Sequence, residues 1–161
     1  MRKLMVCCAL AATAGGLAAC GGSSSGGAPA NPQSDPKTTA SAFIAALKTG
    51  DIAKICTYVS IPSKAGSCPD LLGQALAGRG AFSGDAAVGN DAVSGNEALV
   101  VTTGSFSVLG SSVSNSDPNA GLPSGGTSFA AAYSAAQQDS SSPDLAMVKV
   151  GSDWFVSPGT G

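Results

Sequence analysis

Three short patterns in the chain carry residue types suited to acyl transfer. Ser34-Asp35-Pro36-Lys37 fits S-x-x-K, Lys48-Thr49-Gly50 fits K-T-G and Ser94-Gly95-Asn96 fits S-x-N, a set in which a lysine-assisted serine is the nucleophile. Their order defeats that reading. In such enzymes K-T-G lies on a strand late in a far longer chain, whereas here it closes the first helix shortly after Ser34, so the matches are coincidental. Histidine is absent, which removes the usual general base and the commonest transition-metal ligand. Proton-transfer chemistry is left to carboxylates, which would need to sit inside a pocket with donors facing them. Asp51 and Asp153 instead fall where a helix cap and a tight turn favour aspartate. Asp117-Pro118-Asn119 offers too few oxygens for a calcium site. No catalytic residue, metal ligand or cofactor is expected.

The elements that would position any site must come from a sparse palette. The chain has 161 residues, 11% of them charged, with a net charge of −2, and glycine and proline number 22 and 9. One small domain is the most this length and composition build. Alanine supplies apolar weight that leucine, isoleucine, valine and phenylalanine do not, so a modest core is expected. With few cations there is no basic patch for phosphates, and nucleic acid is excluded as a partner.

The N-terminus carries an address. Arg2 and Lys3 precede an uncharged run over residues 4–19, short of the roughly 20 residues a membrane span needs and suited to the core of an export signal. The run ends Leu17-Ala18-Ala19-Cys20, which resembles the lipobox of bacterial lipoproteins. That resemblance implies cleavage after Ala19, a diacylglyceryl group with acyl chains such as palmitate on the Cys20 sulfur, and Cys20 as the mature N-terminus. The expected organisation is a signal peptide at 1–19, a lipidated cysteine with a Gly/Ser/Pro tether at 20–36, a folded domain at 37–157 and a tail at 158–161. A tether of this kind holds a domain on the order of 20 Å from the bilayer. Loss of Arg2 and Lys3 leaves 6 basic and 10 acidic residues, so the domain is not drawn onto an anionic membrane surface.

Cys7 and Cys8 leave with the signal and Cys20 is consumed by lipid, so Cys56 and Cys68 remain. Two thiols in an oxidising compartment, closing a loop of about 13 residues, predict a disulfide. The alternative is a pair of small buried apolar side chains.

Ser34-Asp35-Pro36 opens a helix in which Ala40, Phe43, Ile44 and Leu47 share one face, and Gly50 ends it. Asp51 caps a second helix carrying Ile52, Ile55, Cys56 and Val59. Ser67 and Pro69 open a third, ended by the glycines around Arg79. Val88 and Val93 lie in short runs broken at Gly89-Asn90 and Gly95-Asn96. Residues 98–109 read as a strand and 111–128 as an exposed loop. The alanine-rich segment 129–138 suits either a helix or a strand with Phe129 and Tyr133 on one face. Residues 145–150 and 154–156, joined through Gly151-Ser152-Asp153, form a hairpin.

Helices followed by a curved antiparallel sheet and a late hairpin with tryptophan resemble the nuclear transport factor 2-like cone superfamily, in particular the small actinobacterial lipoproteins of that type. The resemblance rests on Phe43-Ile44-Ala45-Ala46-Leu47, Gly50-Asp51, the Cys56 and Cys68 pair, and Met147-Val148-Lys149-Val150 leading to Trp154. It implies an α+β fold with a tapering interior between the first helix and the sheet. Phe43, Tyr58, Phe106 and Trp154 are the expected pocket walls. The expected function is a non-catalytic binding module for a small apolar ligand or an envelope protein, lipid-anchored on the extracytoplasmic face of the cell membrane. Two alternatives are an isomerase or dehydratase of the same cone fold, which requires a buried carboxylate facing the cavity, and a purely structural envelope component.

Overall fold

The computed structural model describes residues 31–61, 66–76, 82–108, 111–139 and 141–158. Cys20, the expected signal peptide, most of the expected tether and the expected end of the third helix near Arg79 lie outside the described residues. Among the described residues no helix is long and apolar enough to cross a membrane.

Helix α1 spans Pro36–Thr49. The Asp35 carboxylate accepts the Thr38 N–H at 2.9 Å, and hydrogen bonding from the Thr38 side chain and then its backbone holds the Asp35 carboxyl below its ordinary value. Proline in the first turn wastes no donor, and Gly50 closes the helix with its N–H on the Leu47 carbonyl. Helix α2, Ile52–Cys56, is capped by Asp51, and it buries Ile55. Helix α3 is Cys68–Leu76. The Cys56–Cys68 disulfide forms across a sequence separation of 12 and ties α3 to α2.

Five antiparallel strands make one sheet that curls into a half-barrel: β1 Phe82–Ser94, β2 Glu97–Val108, β3 Ser111–Asn115, β4 Asp144–Val150 and β5 Asp153–Val156. Strand β2 is central. One edge pairs with β1 along its whole length. The other is divided, with β3 on its C-terminal half and β4 on its N-terminal half. The changeover falls at Thr102, whose N–H and hydroxyl both donate to the Pro143 carbonyl while its own carbonyl accepts from the Asn115 side chain. No backbone group is orphaned at the break.

Alternating side chains of β2 and β4 feed two apolar clusters on opposite faces. Ala98, Val100 and Met147 pack with Ala40, Phe43, Leu47, Ile55, Trp154 and Val156 under the N-terminal helices. Leu99 and Ala146 pack with Ala132 and Tyr133 of α4, Phe129–Gln138, on the other face. The sheet is therefore covered on both faces, by α1 and by α4.

Two local expectations are corrected, and one left open is decided. Residues 82–94 form one strand rather than two runs: Gly89-Asn90 is a bulge between Val88 and Asp91, and Gly95-Asn96 is the two-residue turn into β2. Asn90 also ties the bulge to the next segment, through N–H to the Pro118 carbonyl at 2.8 Å and Nδ2 to Asn119 Oδ1 at 2.8 Å. Second, the stretch 111–128 opens with β3 and continues as hydrogen-bonded turns, because a polar strand needs only one partner edge and β2 supplies it. Third, 129–138 is helical, with Ser128 capping it on Ala131 N–H. Phe129 and Tyr133 share a face at i, i+4 spacing and stack at 5.8 Å.

The folded part also reaches further into the tether than expected. Gln33 accepts the Trp154 N–H and donates through Nε2 to the carbonyls of Thr57 and Trp154, and Asn31 donates to Asp153. Residues 31–36 belong to the domain.

Candidate functional site

A cavity of about 220 Å³ lies between α1 and the curled sheet. Phe43, Ile44 and Leu47 enter it from α1, Phe82 and Ala86 from β1, Phe106 and Val108 from β2, and Val113 from β3. Phe82 and Phe106 stack at 5.7 Å. The Lys48 ammonium sits 5.8 Å over the Phe82 ring and donates to the Ala86 carbonyl. Of the four expected wall residues, Phe43 and Phe106 line this space. Trp154 and Tyr58 do not: Trp154 is 4% exposed within the core with Lys149 over its ring, and Tyr58 packs against the edge of that cluster. The only tryptophan therefore reports on the β4–β5 hairpin and not on the cavity.

Sequence reasoning missed the polar part of the wall. Thr102, Asp139, Ser142, Asp144 and Ser157 all contribute. Among these, the Thr102 hydroxyl is committed to Pro143, and Ser157 accepts from Gln137. Asp144 differs. It is the first residue of β4, paired with Val101, with its N–H on Ser142 Oγ at 3.2 Å. Its Oδ1 is buried and accepts no hydrogen bond. Its carboxylate lies so close against Gly121, where φ is +75°, that any β-carbon there would overlap it. Because β3 has ended and β4 begins here, the wall at this point draws residues from both faces of the sheet. Asp144 also borders a second, more open groove of about 590 Å³ between the 120–127 turns and α4.

Burial pushes the Asp144 carboxyl up from about 3.8 to about 6, a rise that the Ser142 hydroxyl partly offsets. The sign follows from linkage: a carboxyl that binds its proton more tightly in the folded state weakens the fold wherever it is ionised. Its cost is present above about pH 6 and disappears as pH falls toward 4. For a carboxyl near a partly open cavity, solvent screening trims that cost to about 1–2 kcal/mol. Asp144→Asn should therefore be the more stable protein by about that amount near pH 7.5, with the gap closing near pH 4. Denaturant titrations at several pH values read it directly, and a constant gap across that range would assign the effect to something other than ionisation.

Tyr133 fixes α4 over this region by donating its hydroxyl to the Met147 carbonyl at 3.1 Å, and burial raises its phenol above the ordinary value. Among the described residues no three His, Cys, Asp or Glu side chains converge. The site is an apolar space with one unpartnered carboxyl oxygen in its wall. No protein-family model, curated protein or solved structure matches the chain.

Proposed function

We propose that the chain is a lipid-anchored envelope lipoprotein whose domain, a cone of the nuclear transport factor 2-like type, binds a small apolar ligand without transforming it. The cavity of about 220 Å³ lined by Phe43, Leu47, Phe82, Phe106 and Val113 carries this reading. An apolar cavity of about 150 Å³ stays dry and accepts benzene, and drug-sized ligands take about 300 Å³ or more. The expected occupant is thus a single ring or a short acyl segment. The N-terminal helices on a curled antiparallel sheet agree with the cone, with α4 as an added cover on the far face. The Leu17-Ala18-Ala19-Cys20 run, the tether behind it and a disulfide between the remaining cysteines agree with an exported, acylated protein.

The chain from residue 20 with Cys20→Ser, which carries no lipid of its own, should bind toluene saturably in an NMR titration. The shifted amides should lie around Phe43, Ala86 and Ala146. Ala86→Leu, which fills the space from β1, should abolish the response, and unchanged binding in that variant would refute the site. In an acylating bacterial host, a clickable fatty acid should label the full chain and leave Cys20→Ser unlabelled.

The isomerase-type reading has one observation in its favour, the buried Asp144 carboxyl with its pKa near 6, which suits a general base. Such a base also needs donors placed for the charge that develops on the substrate. The Thr102 hydroxyl already donates its hydrogen bond to the Pro143 carbonyl, which favours binding over turnover.

A further inference from the structure

A cavity of this size and lining needs no charge to hold an apolar ligand, and a carboxyl in its wall costs the fold stability. Asp144 is nevertheless there, without a cation. Among the described residues, the Lys48 ammonium of α1 is engaged with the Phe82 ring and the Ala86 carbonyl, and the Lys149 ammonium of β4 sits over the Trp154 ring. From α4, Asp139 adds a second acid to the wall and Tyr133 points its hydroxyl at Met147. From β2 comes Thr102, and from the 116–127 turns the nearest titratable group is Asp117, whose carboxylate accepts the Asn119 N–H. Every charged group on this wall is acidic, and Asp144, which borders both the cavity and the outer groove, keeps its Oδ1 closed off beneath the surface without a hydrogen-bond partner.

We propose that Asp144 is the polar anchor of the ligand site and that the ligand it fits is an apolar amine, its hydrocarbon body among Phe43, Phe82 and Phe106 and its ammonium on Asp144. This rests on the cavity reading above and names the ligand class. The chemistry is complementary in two ways. An ammonium in the cavity gives the carboxylate a charge-assisted hydrogen bond, stronger than a neutral one, with Oδ1 brought to it by a turn of the Asp144 side chain. It also compensates a carboxylate that the fold leaves uncompensated, so binding recovers stability that the free protein lacks. The outer groove gives the ammonium's remaining protons access to water.

Benzylamine, benzyl alcohol and toluene share one ring and differ in the group offered to Asp144. Titrated by NMR into the Cys20→Ser chain near pH 7.5, benzylamine should bind about tenfold more tightly than toluene, with the alcohol between them. The advantage should vanish near pH 4.5, where the Asp144 carboxyl is protonated and the amine still charged. Asp139 does not blur this comparison, because hydrogen bonds from Ser141 hold its carboxyl below the ordinary value and it is ionised in much the same degree at both pH values. Asp144→Asn should remove the advantage near pH 7.5 while leaving toluene binding intact, and the pH arm in the parent chain stands if that variant folds poorly. Toluene binding with no preference for benzylamine, or a preference that survives low pH and Asp144→Asn, overturns the amine anchor and leaves the cavity reading standing. Failure of all three probes to bind overturns the cavity reading, and the anchor with it.

Discussion

Gly104→Ala should be among the most destabilising single substitutions in the domain, lowering stability by about 3–5 kcal/mol and the melting temperature by on the order of 10–20 °C. Gly104 lies in β2 opposite Ala86, with φ at +112°, a conformation that side chains adopt only at a cost of about 1–3 kcal/mol. A β-carbon there would also press into the Asp85 carbonyl oxygen of β1, and that carbonyl is held by the ladder and has nowhere to go. Across the same pair of strands, Gly84 has φ at +94° and is blocked in the same way by the Ser105 carbonyl. Gly84 lies opposite Phe106 and Gly104 opposite Ala86, so each strand carries one such glycine, two pairs apart along the ladder. Gly95→Ala separates the two contributions. Gly95 has φ at +61° with nothing within 4 Å of a β-carbon, so it should lose only about 1 kcal/mol. Thermal melts of both variants by circular dichroism decide it, and equal losses would show that the close approach to Asp85 relaxes freely.

The elements of the fold differ in how far they are legible in the sequence. Helix α1 is written locally: an N-cap aspartate, a first-turn proline, four apolar residues on one face and a closing glycine all agree. The β4–β5 hairpin is equally plain. Strand β1 is not, because Gly89-Asn90 looks like a chain break when read locally and is a bulge only in the presence of Pro118 and Asn119, roughly thirty residues on. Strand β3 is built from Ser111-Ser112-Val113-Ser114-Asn115. It has one buried side chain, Val113, and owes its existence to the free edge of β2 rather than to propensity. The 129–138 segment is ambiguous in isolation because alanine fits both periods, and the cap at Ser128 is the one local signal for the helix.

The candidate site divides in the same way. Phe43 belongs to the apolar face of α1 and Phe106 to the long strand, so both are readable from periodicity. Trp154 and Tyr58, expected in the walls, instead join the core cluster under the N-terminal helices, and the cavity lies against Phe82, Phe106 and Val113. Asp144 has almost no sequence signal. Ser142-Pro143-Asp144 reads as a turn before a strand, and its burial arises from Gly121 and α4 arriving from elsewhere in the chain. The one hint available is the lack of a lysine or arginine between Lys54 and Lys149 other than Lys64 and Arg79, which leaves an acid in that stretch short of partners.

Breaking the Cys56–Cys68 bridge should free α3 before it unfolds the sheet. Closing a loop of this length removes about 3 kcal/mol of chain entropy from the unfolded state, which sets the upper limit of the loss. The measured loss should be smaller, about 1–3 kcal/mol, because the bridge restrains a segment that little else holds. Of the α3 side chains described, Leu72 packs against the core, while Leu71 is 39% exposed and Gln74 faces solvent. Once the bridge is gone, α3 can detach while α1, β2 and β4 keep their contacts, and the native state recovers part of the freedom that the unfolded state gains. The double variant Cys56→Ser, Cys68→Ser should therefore show fast amide exchange over residues 71–74 with β2 still protected, together with the reduced global stability. Uniform loss of protection across α3 and β2 would instead mean that α3 unfolds only with the whole domain, and the full stabilisation of about 3 kcal/mol would then be lost. The same experiment bears on the cavity. None of its walls comes from α3, so toluene binding should survive the double substitution even where α3 no longer holds its place.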